Sequence, residues 1–185
     1  MKSNFELYIS RCSDKKEREL LFKKAMLSYG IDSESFFNAR ILKTATGKPY
    51  FKDLDVNFNI SHSQDIWACL TGPGCCGLDV QYIKPCNFGK IAGRFFSCAE
   101  NKYVEHNGLD GFFDIWARRE AYGKYTGEGF FGRFESFVDE QGTLKNIIGG
   151  AVLKEIKVSE LEADYIMVCC IPYGVSDKMI EIKKG

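Results

Sequence analysis

Long apolar runs are missing from this chain. None approaches the roughly 18 consecutive apolar residues that a membrane span needs, and the opening Met1-Lys2-Ser3-Asn4-Phe5-Glu6 has no apolar signal-peptide core. Net charge is missing too: 25 basic and 25 acidic side chains cancel. With no global field to gather nucleic acid or anionic lipid, any anion site has to be a local cluster. Histidine is scarce, His62 and His106 being the two present. The eight cysteines include no C-x-x-C; Cys75-Cys76 and Cys169-Cys170 are adjacent pairs and Cys12, Cys69, Cys86 and Cys98 are scattered. Neither a zinc site nor a disulfide framework fits that spacing. These absences predict a cytoplasmic protein with reduced, mostly buried thiols, binding neither nucleic acid nor membrane. A Ser-His-Asp hydrolase is disfavoured because no G-x-S-x-G elbow occurs. Gly47-Lys48 is no P-loop either, since Leu42 stands where the first glycine belongs and Pro49 follows the lysine.

What is present suits a globule. The chain has 185 residues, 45% hydrophobic and 27% charged, enough for one domain or two small lobes with a real core. A strand over residues 5–10 leads to Ser13-Asp14, which can cap a helix running to Tyr29 and stopped by Gly30; Leu20, Leu21, Lys24, Ala25, Leu27 and Ser28 form its mostly apolar stripe. Strands are expected over 57–60 and 66–71, flanking a polar turn at 61–65. Gly72-Pro73-Gly74 breaks the chain before a strand over 75–80. Helices are expected near 86–95, 98–106 and 111–126, with a capping box formed by Ser97 and Glu100. Strands are expected near 134–138, 151–158 and 165–171. Helices and strands in both halves, with hairpin-like strands late, indicate an α+β protein. Its boundary would lie near 72–77, dividing an N-terminal lobe (1–74) from a C-terminal lobe (75–185) that carries any metal site.

Three clusters carry chemistry. Asp79 and Gln81 lie two apart on a strand and share a face, offering hard oxygen ligands suited to magnesium, with a strand-end hydrogen-bonding role as the alternative. Glu120 and Lys124 lie four apart on a helix beside Trp116, Ala117 and Ala121, either as a solvated ion pair or as part of a site. Thr46-Gly47-Lys48-Pro49-Tyr50 and Asn59-Ile60-Ser61-His62-Ser63 can present ammonium, hydroxyl and imidazole donors to phosphates, or can be ordinary loop residues.

In order, Thr46-Gly47-Lys48-Pro49-Tyr50-Phe51, Phe58-Asn59-Ile60-Ser61-His62-Ser63, Gly77-Leu78-Asp79-Val80-Gln81, Arg94-Phe95-Phe96-Ser97-Cys98-Ala99-Glu100 and Trp116-Ala117-Arg118-Arg119-Glu120-Ala121-Tyr122-Gly123-Lys124 resemble the ordered motifs of the 4′-phosphopantetheinyl transferases of the surfactin-synthetase-activating (Sfp) type. The resemblance implies two similar α/β lobes related by pseudo-twofold symmetry, with coenzyme A between them. The implied reaction moves the phosphopantetheine arm of coenzyme A to a serine of an apo acyl or peptidyl carrier protein, releasing adenosine 3′,5′-bisphosphate. It further implies Asp79, Gln81 and Glu120 as ligands of magnesium, with manganese as an alternative; Glu100 as general base, against its capping role; and Lys124 offsetting pyrophosphate charge. Lys48 with Pro49, and His62 assisted by Ser61, would hold the nucleotide phosphates, and Arg18 resembles a further phosphate contact. A monomer is expected.

Two departures stand out. Many members have a second acidic residue where this chain has Gln81, which implies a weaker metal site, and Arg119 replaces a common lysine. The second reading carried forward is a degenerate module that binds coenzyme A or a carrier without transferring anything. The charge balance leaves fatty acid, polyketide and nonribosomal peptide carriers equally open.

Overall fold

The computed structural model describes residues 3–12, 14–159, 161, 164–175 and 180–185. Strand β1 (Phe5–Arg11) leads into helix α1 (Lys15–Tyr29). The Asp14 carboxylate accepts from the Lys16 N–H at its start, and Gly30 closes it in the left-handed region at φ 104°. Ser13, the other half of the expected cap, lies outside the described residues. The buried stripe is Leu21, Ala25, Met26 and Tyr29, whereas Leu20 and Leu27 are exposed. Apolar residues on more than one face of a helix leave the choice of stripe to the sheet it lies on.

Helix α2 (Ser33–Asn38) and the hairpin of β2 (Ile41–Lys43) with β3 (Pro49–Phe51) precede β4 (Asn57–Ser63) and β5 (Ile66–Gly72). Ser61, His62 and Ser63 were expected in a turn. They are strand residues paired with Ala68, Trp67 and Ile66, so the turn is only Gln64-Asp65, with Gln64 at φ 51°. The fully buried β5 supplies a complete ladder partner, and backbone pairing overrides side-chain polarity.

The second half contains β6 (Gly77–Tyr82), α3 (Phe88–Phe95), α4 (Cys98–Thr126), β7 (Ile147–Ile148), β8 (Ala151–Glu155), β9 (Tyr165–Pro172) and β10 (Ile180–Lys184). The two helices expected over 98–126 form one element interrupted at Gly108 (φ 63°, ψ −137°). Residues 134–138 are not a strand: Val138 alone bridges to Leu144, while Phe134 and Phe137 turn edge-on to Tyr122. Their aromatic rings are spent on packing against α4 instead of on a pleat.

Two four-stranded sheets result, ordered β10-β1-β5-β4 and β6-β9-β8-β7. They stack so that Phe5, Leu7, Ile9, Ile66, Ala68 and Leu70 from one meet Leu78, Val80, Met167, Cys169 and Ile171 from the other. The alternate residues of the first sheet, Tyr8, Trp67 and Cys69, pack with α1. Those of the second, Ile166, Val168 and Cys170, pack with α4. Strands covered on both faces read as continuous apolar runs, which explains residues 66–70 and 166–171. The chain passes between sheets near 72–77, but the last strand does not stay with the second lobe: β10 pairs in parallel with β1. The lobe expected over 75–185 therefore gives its end to the other sheet.

Candidate active site

β4 and β6 are facing edge strands of the two sheets, and side chains join them. Asn59 Oδ1 accepts from the Leu78 N–H at 2.9 Å, Ser61 Oγ from the Val80 N–H at 3.1 Å, and Ser63 Oγ from the Tyr82 N–H at 2.9 Å. Both strands have a period of two, so polar side chains on alternate residues of β4 meet the N–H groups of alternate residues of β6, which point away from β9.

Asp79 stands in the middle of this seam and is 2% exposed. Its Oδ1 accepts from Lys124 Nζ at 2.7 Å and Ser61 Oγ at 3.1 Å, and its Oδ2 accepts from Gln81 Nε2 at 2.8 Å. Lys124 also donates to the Leu78 carbonyl at 2.9 Å and to Ser61 Oγ at 3.2 Å. Glu120, one turn earlier on α4, is half-buried. Burial first, and the Asp79 charge second, raise its carboxyl above the usual range, while Lys124 opposes them. Two carboxylates of the second lobe, one on β6 and one on α4, thus lie close to one another beside the boundary with the first, with one ammonium against the pair.

Glycine makes the approach of α4 to β6 possible. A Cβ on Gly77 would lie 1.9 Å from the Ala121 carbonyl oxygen; in the same way the segment after α4 folds back onto the helix, where a Cβ on Gly123 would lie 2.4 Å from the Gly129 carbonyl oxygen. Beside this seam opens a cleft of about 240 Å³, bounded by residues 46–49, Asn59-Ile60 of β4, and the end of α4 with Gly127 and Gly129.

His62 faces away from Ser61 on the exposed side of β4. Its imidazole is held below the ordinary value by burial, then by the nearby positive charges of Arg18 and Lys124. Arg18 keeps a buried Nε with no hydrogen-bond partner among the described residues. The positive charges of Arg18 and Lys124 beside this imidazole make a corner suited to an anion.

A model of the 4′-phosphopantetheinyl transferase superfamily matches residues 75–170. The 4′-phosphopantetheinyl transferase gsp of Aneurinibacillus migulanus is 32% identical over 164 residues, covering 83% of this chain and 68% of that protein. The chain belongs to the 4′-phosphopantetheinyl transferase superfamily. The transferase psf-1 of Bacillus pumilus is 33% identical over 146 residues (74% of this chain, 62% of that protein). The transferase Sfp of Bacillus subtilis (strain 168) is 34% identical over 96 residues (49% and 42%). This superfamily member thus spans about two thirds or less of the length of these relatives.

Set on the fold, the expected site residues divide. Asp79, Gln81, Glu120, Lys124 and Ser61 converge, and His62 feels the charges of both Lys124 and Arg18. Gln81 turns its amide N–H onto Asp79 instead of presenting an oxygen beside it. Ser61 is buried and committed to Val80, Asp79 and Lys124, so it organises the seam and is not free for a phosphate. Lys48 lines the cleft with Pro49, but its Nζ donates to the carbonyls of Cys76 (3.1 Å) and Tyr125 (3.0 Å), pinning the end of α4 to the crossing between lobes. Glu100 is not in the cleft. It is 0% exposed, Oε2 accepts from the Ser97 N–H at 2.7 Å and Oε1 from the Phe137 N–H at 3.0 Å, so the structure puts it in its capping role. Sequence reasoning missed Asn59 and Ser63 as joining residues; their polar period of two on a strand was the available signal. It also missed Gly123, for which the sequence holds no signal beyond the glycine itself.

Proposed function

We infer that this chain transfers the 4′-phosphopantetheine arm of coenzyme A to a serine of an apo acyl or peptidyl carrier protein. The serine oxygen bonds to the pantetheine-side phosphorus, the bridging P–O bond of the pyrophosphate breaks, the hydroxyl proton passes to solvent water, and adenosine 3′,5′-bisphosphate leaves with the electron pair of that bond. The observation that carries the reading is the convergence of Asp79, Glu120 and Lys124 beside a cleft between two lobes.

The donor set fits a divalent cation. Among the described residues no group of three or more His, Cys, Asp or Glu side chains is arranged to hold a metal ion by itself. Two carboxylates leaving the other positions to water and phosphate oxygens are what magnesium takes, and manganese would fit the same ligands. Asp79 and Glu120 would hold the ion, which when bound offsets pyrophosphate charge. Gln81 would steady Asp79 from the side.

The protein's own groups do the rest. Lys124, already against Asp79, is placed to neutralise charge on the pyrophosphate and leaving group. Arg18 and His62 form the anion corner for a nucleotide phosphate, and residues 46–49 wall the cleft, with Lys48 holding its shape. Phosphoryl-type transfer depends mainly on positioning and charge neutralisation, so a strong base at the serine is not required, and Glu100 is too enclosed to be one in this conformation. In this reading the enzyme works as a cytoplasmic monomer, where coenzyme A and apo carriers are present; among the described residues no helix is long and apolar enough to cross a membrane.

Incubation with coenzyme A, magnesium and a panel of apo fatty acid, polyketide and nonribosomal peptide carriers tests the reading by mass spectrometry. The expected result is addition of one phosphopantetheine arm to at least one carrier. Coenzyme A binding without addition to any of them would establish the degenerate alternative instead.

A further inference from the structure

Arg119 precedes Glu120 but points into the protein. It is 8% exposed, its guanidinium pairs with Glu100 Oε2 at 3.6 Å, and its carbon lies 5.9, 5.5, 5.6 and 5.8 Å from the ring centres of Phe96, Phe130, Phe134 and Phe137. A planar cation with weakly held water suits an enclosure of rings, where an ammonium would give up more hydration. Glu100 is tied at its other contacts to the backbone N–H groups of Ser97 and Phe137. The pair therefore gathers the turn before α4, its first turn, its second half and the segment after it.

Gly108 makes this gathering necessary. Its non-helical backbone interrupts α4 between Glu100 and Arg119, so the ordinary ladder of helical hydrogen bonds does not fix how the second half is rotated relative to the first. The Glu100–Arg119 contact spans the break, as does the bond from Tyr103 Oη to Asp114 Oδ2 at 3.0 Å. Successive helical residues project about 100° apart. Fixing the direction of Arg119 thus fixes that of Glu120 and, one turn on, Lys124.

We propose that Glu100 and Arg119 are positioning residues: their caged pair sets the rotation of α4 about the Gly108 break and so aims Glu120 at Asp79. The proposal rests on the transferase reading above for what Glu120 does, and it gives Glu100 a part in the reaction without contact with substrate.

Four variants test it: Glu100→Gln, Arg119→Met, Arg119→Lys, and Glu100→Gln with Arg119→Met together. Magnesium binding to the protein alone is measured by calorimetry, with melting temperature, and with kcat and KM for coenzyme A. Each single neutral variant is expected to weaken magnesium binding about tenfold or more and to lower kcat with little change in KM for coenzyme A. Arg119→Lys keeps the charge, should therefore melt near wild type, and is expected to bind magnesium several-fold more weakly. The double variant removes both buried charges and should recover much of the lost melting temperature without recovering magnesium affinity. Recovery of both together would reduce the pair to a structural role and overturn the proposal. So would wild-type affinity in Arg119→Lys. A Glu100→Gln protein with wild-type magnesium affinity and no turnover, beside an active Arg119→Met, would make Glu100 the base and also overturn it. Wild-type protein that binds magnesium yet modifies no carrier brings down the transferase reading alone, because the magnesium comparison still decides the positioning role.

Discussion

Adding one methyl group at Gly77 should separate the two walls of the site. The Cβ of Gly77→Ala would meet the Ala121 carbonyl oxygen at 1.9 Å and the Tyr125 nitrogen at 2.7 Å, against the 3.4 Å at which ordinary contact begins. Both are backbone atoms of α4 and cannot rotate away, so helix and strand must move apart by up to about 1.5 Å. Overpacking of this kind costs about 1–3 kcal/mol of stability. The same displacement falls on the 2.7 Å contact between Lys124 and Asp79 and on Glu120 one turn away. A misplacement of about 1 Å at a reacting centre costs about 10²-fold in rate, or about 2.7 kcal/mol at 1.36 kcal/mol per tenfold. Urea denaturation measures the first effect, and carrier modification followed by mass spectrometry under saturating coenzyme A measures the second. An alanine variant with unchanged midpoint and turnover would refute the close approach of α4 to β6, and with it the geometry assigned to the site.

Glu120→Ala should abolish transfer and magnesium binding while leaving the fold intact; activity near wild type would mean the metal site lies elsewhere. Gln81→Glu places a second carboxylate where an amide now donates to Asp79 at 2.8 Å. Without divalent ions its melting temperature should fall through like-charge repulsion, and magnesium should restore it and bind about tenfold more tightly than to wild type. An unaltered magnesium requirement would contradict this. For His62, the folded-state value lies below the ordinary 6.5, so the unfolded chain binds more protons and the stability it contributes is lost as pH falls below 6.5. A phosphate beside it would raise that value again, so coenzyme A binding should take up a proton and weaken as pH rises through the window between the two. Calorimetry in two buffers of different ionisation heat should show this uptake in wild type and not in His62→Asn. Ser61→Ala leaves the Val80 N–H without its acceptor and should cost about 1–3 kcal/mol in urea denaturation.

Local rules account for much of what could be read directly. The caps at Asp14, Gly30, Ser97 and Gly127 are written in residues whose side chains or φ values act within a few positions. The two-sided burial of β5 and β9 shows as unbroken apolar runs. Asp79 with Gln81, and Glu120 with Lys124, follow from periods of two and of four. Contacts between distant segments are different in kind. The strand reading of 134–138 failed because Phe134 and Phe137 are held by Tyr122 on another element. The placing of β10 against β1 involves residues about 175 positions apart, beyond any periodicity.

The same division runs through the site. Residue types and their order on strand and helix already specified a carboxylate on β6, a carboxylate and an ammonium on one face of α4, and the family they resemble, since each depends on neighbours within a turn or a pleat. Which groups are free to act depended on tertiary packing. Packing across the lobe boundary spends Lys48 on two carbonyls and Ser61 on the seam, while packing within the second lobe turns the Gln81 amide onto Asp79 and encloses Glu100 with Arg119 among four rings. A side chain's availability is set by what surrounds it in space, and those surroundings come from segments that sequence spacing does not connect.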